Sequence, residues 1–158
     1  MYDENVGSAQ WPDPLRAPVP KIIQEQLLEG FWRTLRPLSD LLQWEEHLLA
    51  ADLLADLRRL VLEMMLALNG IQRPDQTLHL NSYLSEQQRN AIEKTLIAPS
   101  IQAGAWIGQA VSLVVIYRWY APQLVERYDL SYPQVLEDES WTYLQQTLPG
   151  WPSTISSD

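Results

Sequence analysis

Residues 45–68 read EEHLLAADLLADLRRLVLEMMLAL, and this stretch decides the fold class. Two acidic residues, Glu45 and Glu46, stand where a first helical turn is expected, and Asn69 with Gly70 follows as a C-terminal stop. The stretch predicts one long amphipathic helix, because its apolar residues recur at steps of three and four along a single face. These residues are Leu49, Leu53, Leu57, Leu60, Met64 and Leu68.

The same helical period continues towards both ends of the chain. It runs over residues 21–42, where Pro37 predicts a kink or break near Arg36 because proline has no backbone N–H. Ser85 is the predicted N-cap of a helix over 86–96. A long helix is predicted from Pro99-Ser100 to about residue 128, and a last one from Ser131-Tyr132-Pro133 to about residue 148.

No segment alternates apolar and polar residues over the length of a strand. The sequence therefore predicts an all-α fold, a bundle of about five helices in an up-down arrangement. Residues 1–20 hold four prolines and predict an irregular N-terminal arm. The predicted organisation is this arm, a helical bundle domain over 21–148 and a polar tail over 149–158.

Composition excludes several classes of function. The 158 residues carry 20 acidic and 11 basic side chains, a formal charge of −9, and no cysteine. The acidic balance argues against a nucleic-acid partner, which needs clustered Lys and Arg, and the missing thiols exclude disulfides and thiolate metal sites. The apolar run over 103–117 is shorter than the roughly 20 residues that span a bilayer, and the acidic N-terminus is unlike a secretion signal. We expect no membrane span and a cytoplasmic location.

Catalytic and metal-binding patterns are missing from the sequence. His47 and His79 are the only histidines, and neither belongs to a helical ligand pair, so we expect no bound metal. The acidic run over 137–139 is interpreted as a solvated helix face, since residues one and two apart on a helix diverge. No nucleophile elbow, Walker loop or dinucleotide fingerprint occurs, so we assign no catalytic residue.

Arg58 stands out from its helical surroundings. Its neighbours on the helix surface are all apolar, namely Leu54, Ala55, Val61 and Leu62. The guanidinium group therefore needs a partner from elsewhere. One hypothesis is contact with an anion or ligand at a domain cleft. The alternative is a structural ion pair with an acid of another helix, or a side chain that extends to solvent.

Aromatic residues are dense around the predicted fourth helix. They pack in the core in one interpretation and form a stacking surface for a planar ligand in the other. The set comprises Trp106, Tyr117, Trp119, Tyr120, Tyr128 and Tyr132.

Gly104, Gly108 and Ser112 recur every four residues on the same helix, a stripe that lets another backbone approach closely. This stripe predicts either a homodimer contact or close packing within the monomer.

Three stretches resemble the helical C-terminal domain of nucleotidyltransferase-fold proteins of the minimal and aminoglycoside-type groups. They begin FWRTLRPLSDLLQWEEHLL, LHLNSYLSEQQRNAIEKTL and YRWYAPQLVERYDLSYPQVL, so the resemblance spans nearly the whole chain. Its most telling pieces are Phe31-Trp32, Leu57-Arg58-Arg59-Leu60 and the run from Tyr117 to Glu137 that contains Leu130-Ser131-Tyr132-Pro133.

The resemblance implies a helical domain that closes an acceptor-substrate cleft beside a separate α/β catalytic domain. That catalytic domain would hold Mg²⁺ and a nucleoside triphosphate through residues that have no counterpart in this chain. The first hypothesis is therefore a substrate-binding or accessory domain, with Arg58, Tyr120 and Tyr132 as substrate-binding residues and no cofactor of its own. Its partners would be a catalytic domain and a small-molecule acceptor. The alternative is a non-enzymatic interaction module, an adaptor or a homodimer.

Overall fold

The computed structural model describes residues 15–73, 77–96 and 100–155. Helix α1 begins at Pro20 and comprises Pro20–Ile22, a π-helical segment Ile23–Leu28 and Glu29–Leu35. The chain then turns at residues 36 and 37 before α2, Leu38–Gln43. The break that Pro37 predicts is confirmed, because a proline inside a helix removes one donor and crowds the preceding turn.

Helix α3, His47–Leu68, is the long amphipathic helix of the quoted stretch. It begins two residues later than predicted, because Glu45 adopts a left-handed backbone with φ of 56° and Glu46 is the N-cap. The prediction of acidic residues in the first turn is therefore wrong. Leu49, expected on the apolar face, is 49% exposed at the start of the helix. The stop is confirmed, since Gly70 has φ of 82°, a conformation that glycine adopts without strain.

Helix α4, Glu86–Glu93, begins with a capping box. Ser85 Oγ accepts from the backbone N–H of Gln88 at 3.0 Å, and the Gln88 side chain accepts from the Ser85 N–H at 3.0 Å. These bonds satisfy donors that a helix start otherwise leaves unpaired. A 3₁₀ turn, Lys94–Leu96, continues α4, and a second 3₁₀ turn, Leu80–Tyr83, precedes it.

Helix α5, Ala103–Tyr128, contains Pro122 and ends where Asp129 takes φ of 53°. Of the predicted start, Pro99 lies outside the described residues. Helix α6, Gln134–Thr147, follows within a few residues. The described residues form an all-α fold whose only β feature is an isolated bridge between Arg16 and Gln72. None of their helices is long and apolar enough to cross a membrane.

Helix α3 packs along α5, and α1 and α2 lie against α3. Three aromatic rings fix α1 against α5: Phe31 stacks on Tyr117 at a centroid distance of 4.5 Å, and Trp32 meets Tyr117 edge-on at 5.3 Å. The Tyr117 hydroxyl donates to the carbonyl of Leu28, the last residue of the π-helical segment, at 2.8 Å. The bundle thus has one shared apolar core.

The two ends of the chain are described only in part. Residues 1–14 of the predicted arm and 156–158 of the predicted tail lie outside the described residues. The rest of the segment assigned to a polar tail contacts the bundle: Trp151 is buried and meets Trp141 edge-on at 5.1 Å. The indole N–H of Trp141 and the amide of Gln145 both donate to the carbonyl of Ser153.

Candidate functional site

A groove of about 610 Å³ lies between α4 and α5. Its volume falls in the range of about 300–1,000 Å³ that is typical of small-molecule sites. The α5 wall is apolar apart from the hydroxyl of Ser112, and the α4 wall carries an acid, a base, two amides and the hydroxyl of Thr95. The lining residues are Glu86, Gln87, Asn90, Ala91, Lys94, Thr95, Ser112, Val115, Ile116 and Trp119.

Trp119 is the member of the predicted aromatic set that faces this groove, and it is 43% exposed. Most of the others are core residues with hydrogen-bonded polar tips. Trp106 is buried and donates to His47 Nδ1 at 2.9 Å, and the hydroxyl of Tyr128 donates to the carbonyl of Ala67 at 2.7 Å. The stacking interpretation is therefore restricted to one indole ring, and core packing accounts for the remainder.

Arg58 is satisfied by Thr95 of the 3₁₀ turn after α4. Its Nε donates to Thr95 Oγ1 at 2.9 Å and its Nη2 donates to the Thr95 carbonyl at 2.8 Å. Burial lowers the pKa of the Arg58 guanidinium. Of the alternatives to a ligand contact, the described residues do not show the ion pair with an acid of another helix: the partners they supply are the hydroxyl and the carbonyl of Thr95.

Thr95 joins Arg58 to the groove. It is buried and lines the groove, and its carbonyl also accepts from Gln109 Nε2 at 3.2 Å. Its hydroxyl donates to the carbonyl of Ile92 at 2.6 Å. Arg58 on α3 and Gln109 on α5 thus hold the same turn, so Arg58 positions a wall of the groove rather than pointing into it.

Tyr120 and Tyr132 are not among the described residues that line the groove. Tyr120 is 9% exposed within the core, and burial raises the pKa of its hydroxyl. Tyr132 meets Tyr117 edge-on at 6.3 Å, and its pKa is also raised, chiefly by burial and then by the nearby charge of Glu137. The three predicted substrate-binding residues therefore lie in different places: Arg58 beside Thr95, Tyr120 in the core and Tyr132 against Tyr117.

Glu137 corrects the interpretation of the acidic run over 137–139. It is buried, and its Oε1 lies 3.0 Å from Nε of Arg118 on α5. Gln134 Nε2 donates to the other carboxylate oxygen at 3.1 Å, while Asp138 and Glu139 are exposed. The interpretation of the run as a solvated helix face is confirmed for Asp138 and Glu139 and wrong for Glu137. Of the three acids, Glu137 is the one whose side chain turns towards α5.

The small-residue stripe on α5 is open. Gly104, Gly108 and Ser112 are exposed, and a methyl group added at either glycine would meet no atom of the described residues within 4 Å. Within that part of the chain, close packing against these glycines is therefore wrong. Ser112 also lines the groove, so the stripe and the groove form one continuous surface along α5.

Within residues 15–73, 77–96 and 100–155, no group of three His, Cys, Asp or Glu side chains is placed to hold a metal ion. Sequence reasoning missed the polar wall of the groove, to which Glu86, Asn90 and Lys94 contribute, because these residues carry no pattern beyond an exposed helix face. Comparison with models of protein families, with curated proteins and with solved structures finds no match to this chain.

Proposed function

We propose that the chain is a helical substrate-binding or accessory domain of a nucleotidyltransferase-type protein and that the α4–α5 groove binds the acceptor substrate. The observation that carries this proposal is the groove itself, with the half-exposed indole of Trp119 on one side and polar side chains on the other. The resemblance of the sequence to such helical domains supports it. A separate catalytic domain supplies the metal ion, the nucleoside triphosphate and the reacting groups.

The lining of the groove indicates the kind of acceptor. An indole ring packs against the flat faces of sugar rings and planar bases. Glu86 and Asn90 accept hydrogen bonds from amines and hydroxyls, and Lys94 donates them. The net charge of −9 attracts cations towards the protein. These features fit a polar, amine-bearing ring compound of the aminoglycoside kind.

A thermal-shift titration with kanamycin and with Mg-ATP tests the proposal on the whole chain. A ligand at 100 times its dissociation constant adds about 2.7 kcal/mol to the free energy of unfolding. We expect this stabilisation with kanamycin, and its loss in Trp119→Ala. Trp44→Ala is the matched control, because Trp44 is 68% exposed and does not line the groove.

Three results would contradict the proposal. One is a folded protein whose melting temperature does not respond to kanamycin. Another is a kanamycin shift that persists in Trp119→Ala, which would move binding away from the groove. The third is an equal loss in Trp119→Ala and Trp44→Ala, which would indicate binding without a defined site.

A second candidate function is supported by the exposure of the stripe on α5. In this proposal the chain is a helical interaction module that forms a homodimer through Gly104, Gly108 and Ser112. The support is the open space beside both glycines, which permits the backbone of a second helix to approach. Ile101, just before the helix, is 74% exposed and adds apolar surface.

Gly108→Leu tests the dimer without threatening the monomer. The added side chain enters open space, and replacing a helical glycine improves helix propensity by up to about 1 kcal/mol. We expect a dimeric mass for the unsubstituted protein in analytical ultracentrifugation and a monomeric mass for Gly108→Leu. A monomeric mass for both proteins at high concentration would contradict this candidate.

A further inference from the structure

A second cavity, of about 290 Å³, lies beside α3, the 3₁₀ turn Leu80–Tyr83 and α4. Four arginines line it: Arg58, Arg59, Arg73 and Arg89. The whole chain has 11 basic residues against 20 acidic ones, so this concentration of positive charge runs against its composition. The cavity is separate from the α4–α5 groove: Arg58 lines the cavity and is hydrogen-bonded to Thr95, which lines the groove.

The remaining surface of the cavity is largely apolar. Leu62 and Ile92 are buried at 8% and 7% exposure, whereas the Arg59 and Arg89 side chains are 50% and 41% exposed. Leu62 and Ile92 therefore form an apolar floor, and the guanidinium groups of Arg59 and Arg89 reach the rim. The other apolar members are Leu80 and Leu84, which are half-buried, and Ala55 and Leu96, which are exposed.

Within the part of the chain that the structure describes, ion pairs engage two of the four arginines. Arg59 Nη1 lies 3.1 Å from the carboxylate of Glu63, and Arg89 Nε lies 3.4 Å from that of Glu93. Arg89 Nε is buried and makes no hydrogen bond to the described part of the chain. Among the described residues, Glu63 and Glu93 each pair with one of the four arginines, and Glu63 also lies within the electrostatic reach of Arg73.

A guanidinium group has five N–H donors, and the hydrogen bonds among the described residues engage only some of those of Arg58 and Arg59. Arg58 uses two nitrogens on Thr95, and Arg59 uses one on Glu63. Guanidinium groups that line one cavity repel each other because they carry like charges. A carboxylate or phosphate group bound between them offsets this repulsion and accepts charge-assisted hydrogen bonds from them. An apolar floor adds affinity only for a ligand with an apolar body.

We propose that this cavity binds a small organic anion, with a carboxylate or phosphate group held by Arg59 and Arg89 at the rim and a compact apolar body on the floor. Arginine suits this role because its planar fork matches both oxyanions. The proposal is independent of the function assigned to the α4–α5 groove.

Isothermal titration calorimetry of the whole chain with octanoate, octyl phosphate, 1-octanol and inorganic phosphate tests the proposal. We expect octanoate or octyl phosphate to bind at least tenfold more tightly than both octanol and inorganic phosphate. Tighter binding of octanoate would identify a carboxylate ligand, and tighter binding of octyl phosphate a phosphate monoester. Octanol binding as tightly as the two anions, or no binding by either anion, would overturn the proposal.

Two variants assign the binding to the cavity. Arg59→Gln and Arg89→Gln should each weaken binding of the anionic probe at least fivefold. Arg33→Gln is a matched control, because Arg33 also pairs at 3.1 Å with a glutamate four positions away but on α1, where it does not line the cavity. Equal weakening in all three variants would show a nonspecific effect of net charge and overturn the proposal.

The two sites are distinguished by Trp119→Ala, which should leave binding of the anionic probe unchanged while it abolishes the kanamycin response. Circular dichroism establishes that each variant keeps its helical content before binding is compared. Leu84→Asn, which places an amide on the cavity wall, should weaken octanoate at least fivefold. Unchanged octanoate affinity in this variant would overturn the apolar part of the proposal.

Discussion

The guanidinium group of Arg58 holds both oxygen atoms of Thr95, a residue 37 positions later in the chain. The pair connects the middle of α3 to the turn that closes α4, and that turn is a wall of the α4–α5 groove. A charged side chain on a mostly apolar helix flank is thereby used as a structural tether. The tether also brings Arg58 to the edge of the arginine-lined cavity.

Arg58→Met should destabilise the protein by about 1–2 kcal/mol, because both hydrogen bonds to Thr95 are lost while its carbonyl keeps the bond from Gln109. Urea unfolding measures the change. Amide hydrogen exchange at Lys94–Leu96 should accelerate, since the turn loses an anchor. Arg33→Met, at an exposed pair on α1, should change stability by less than about 0.5 kcal/mol, and equal losses in both variants would contradict the tether.

Glu137→Gln should cost about 2–3 kcal/mol, because the buried carboxylate is the partner of Arg118. The expected loss lies below that of a fully buried pair, since the Arg118 side chain is 27% exposed. Asp138→Asn is the control, and this exposed neighbour should change stability by less than about 0.5 kcal/mol. Thermal or urea unfolding compares the two, and similar effects would show that Glu137 and Asp138 are equivalent.

The helices could be predicted from the sequence because their signals are local. The apolar period of α3, the turn at Pro37, the Ser85 capping box and the Gly70 stop each act within a few residues. The predicted start of α3 is two residues too early because no residue type near Glu45 marks its left-handed backbone. The backbone N–H groups of Glu45 and Glu46 donate to the carbonyls of Leu42 and Leu41 at the end of α2.

The candidate site was only partly predictable, because its contacts join distant segments. Arg58 could be identified from its apolar neighbours, but its partner Thr95 could not, since nothing near residue 58 points to residue 95. Glu137 could not be separated from Asp138, because its burial depends on where Arg118 of α5 lies. Trp119 is exposed and Tyr117 is buried because the two side chains leave the same helix in different directions, which depends on where the other helices pack.

Glu63 should make stability fall as pH rises through the window just above its ordinary pKa of 4.5. Burial raises the pKa of this carboxyl more than Arg59 and Arg73 lower it. The folded state therefore binds the proton more tightly than the unfolded state, and ionisation disfavours folding. The free energy of unfolding of the wild type minus that of Glu63→Gln, measured by urea titration from about pH 4 to about pH 7, should decrease. A difference that rises with pH would show that its arginine partners outweigh burial.

Buried tyrosines should make the protein sensitive to alkali. Burial raises the pKa of Tyr117 and Tyr132, and for Tyr132 the charge of Glu137 raises it further. Both hydroxyls stay protonated in the folded state at a pH where unfolded tyrosines ionise, so stability falls as pH rises above the ordinary value of 10. Absorbance of the phenolate band and circular dichroism, followed together from about pH 9 to about pH 12, measure this coupling.

In that titration, part of the phenolate signal from the seven tyrosines should appear only when the helices unfold. Tyr132→Phe keeps the ring that meets Tyr117 but removes one of the protected protons. Its free energy of unfolding should therefore fall less steeply above pH 10 than that of the wild type, whatever the two proteins' difference at neutral pH. Ionisation of all the tyrosines before any loss of helical signal would contradict the burial of these hydroxyls.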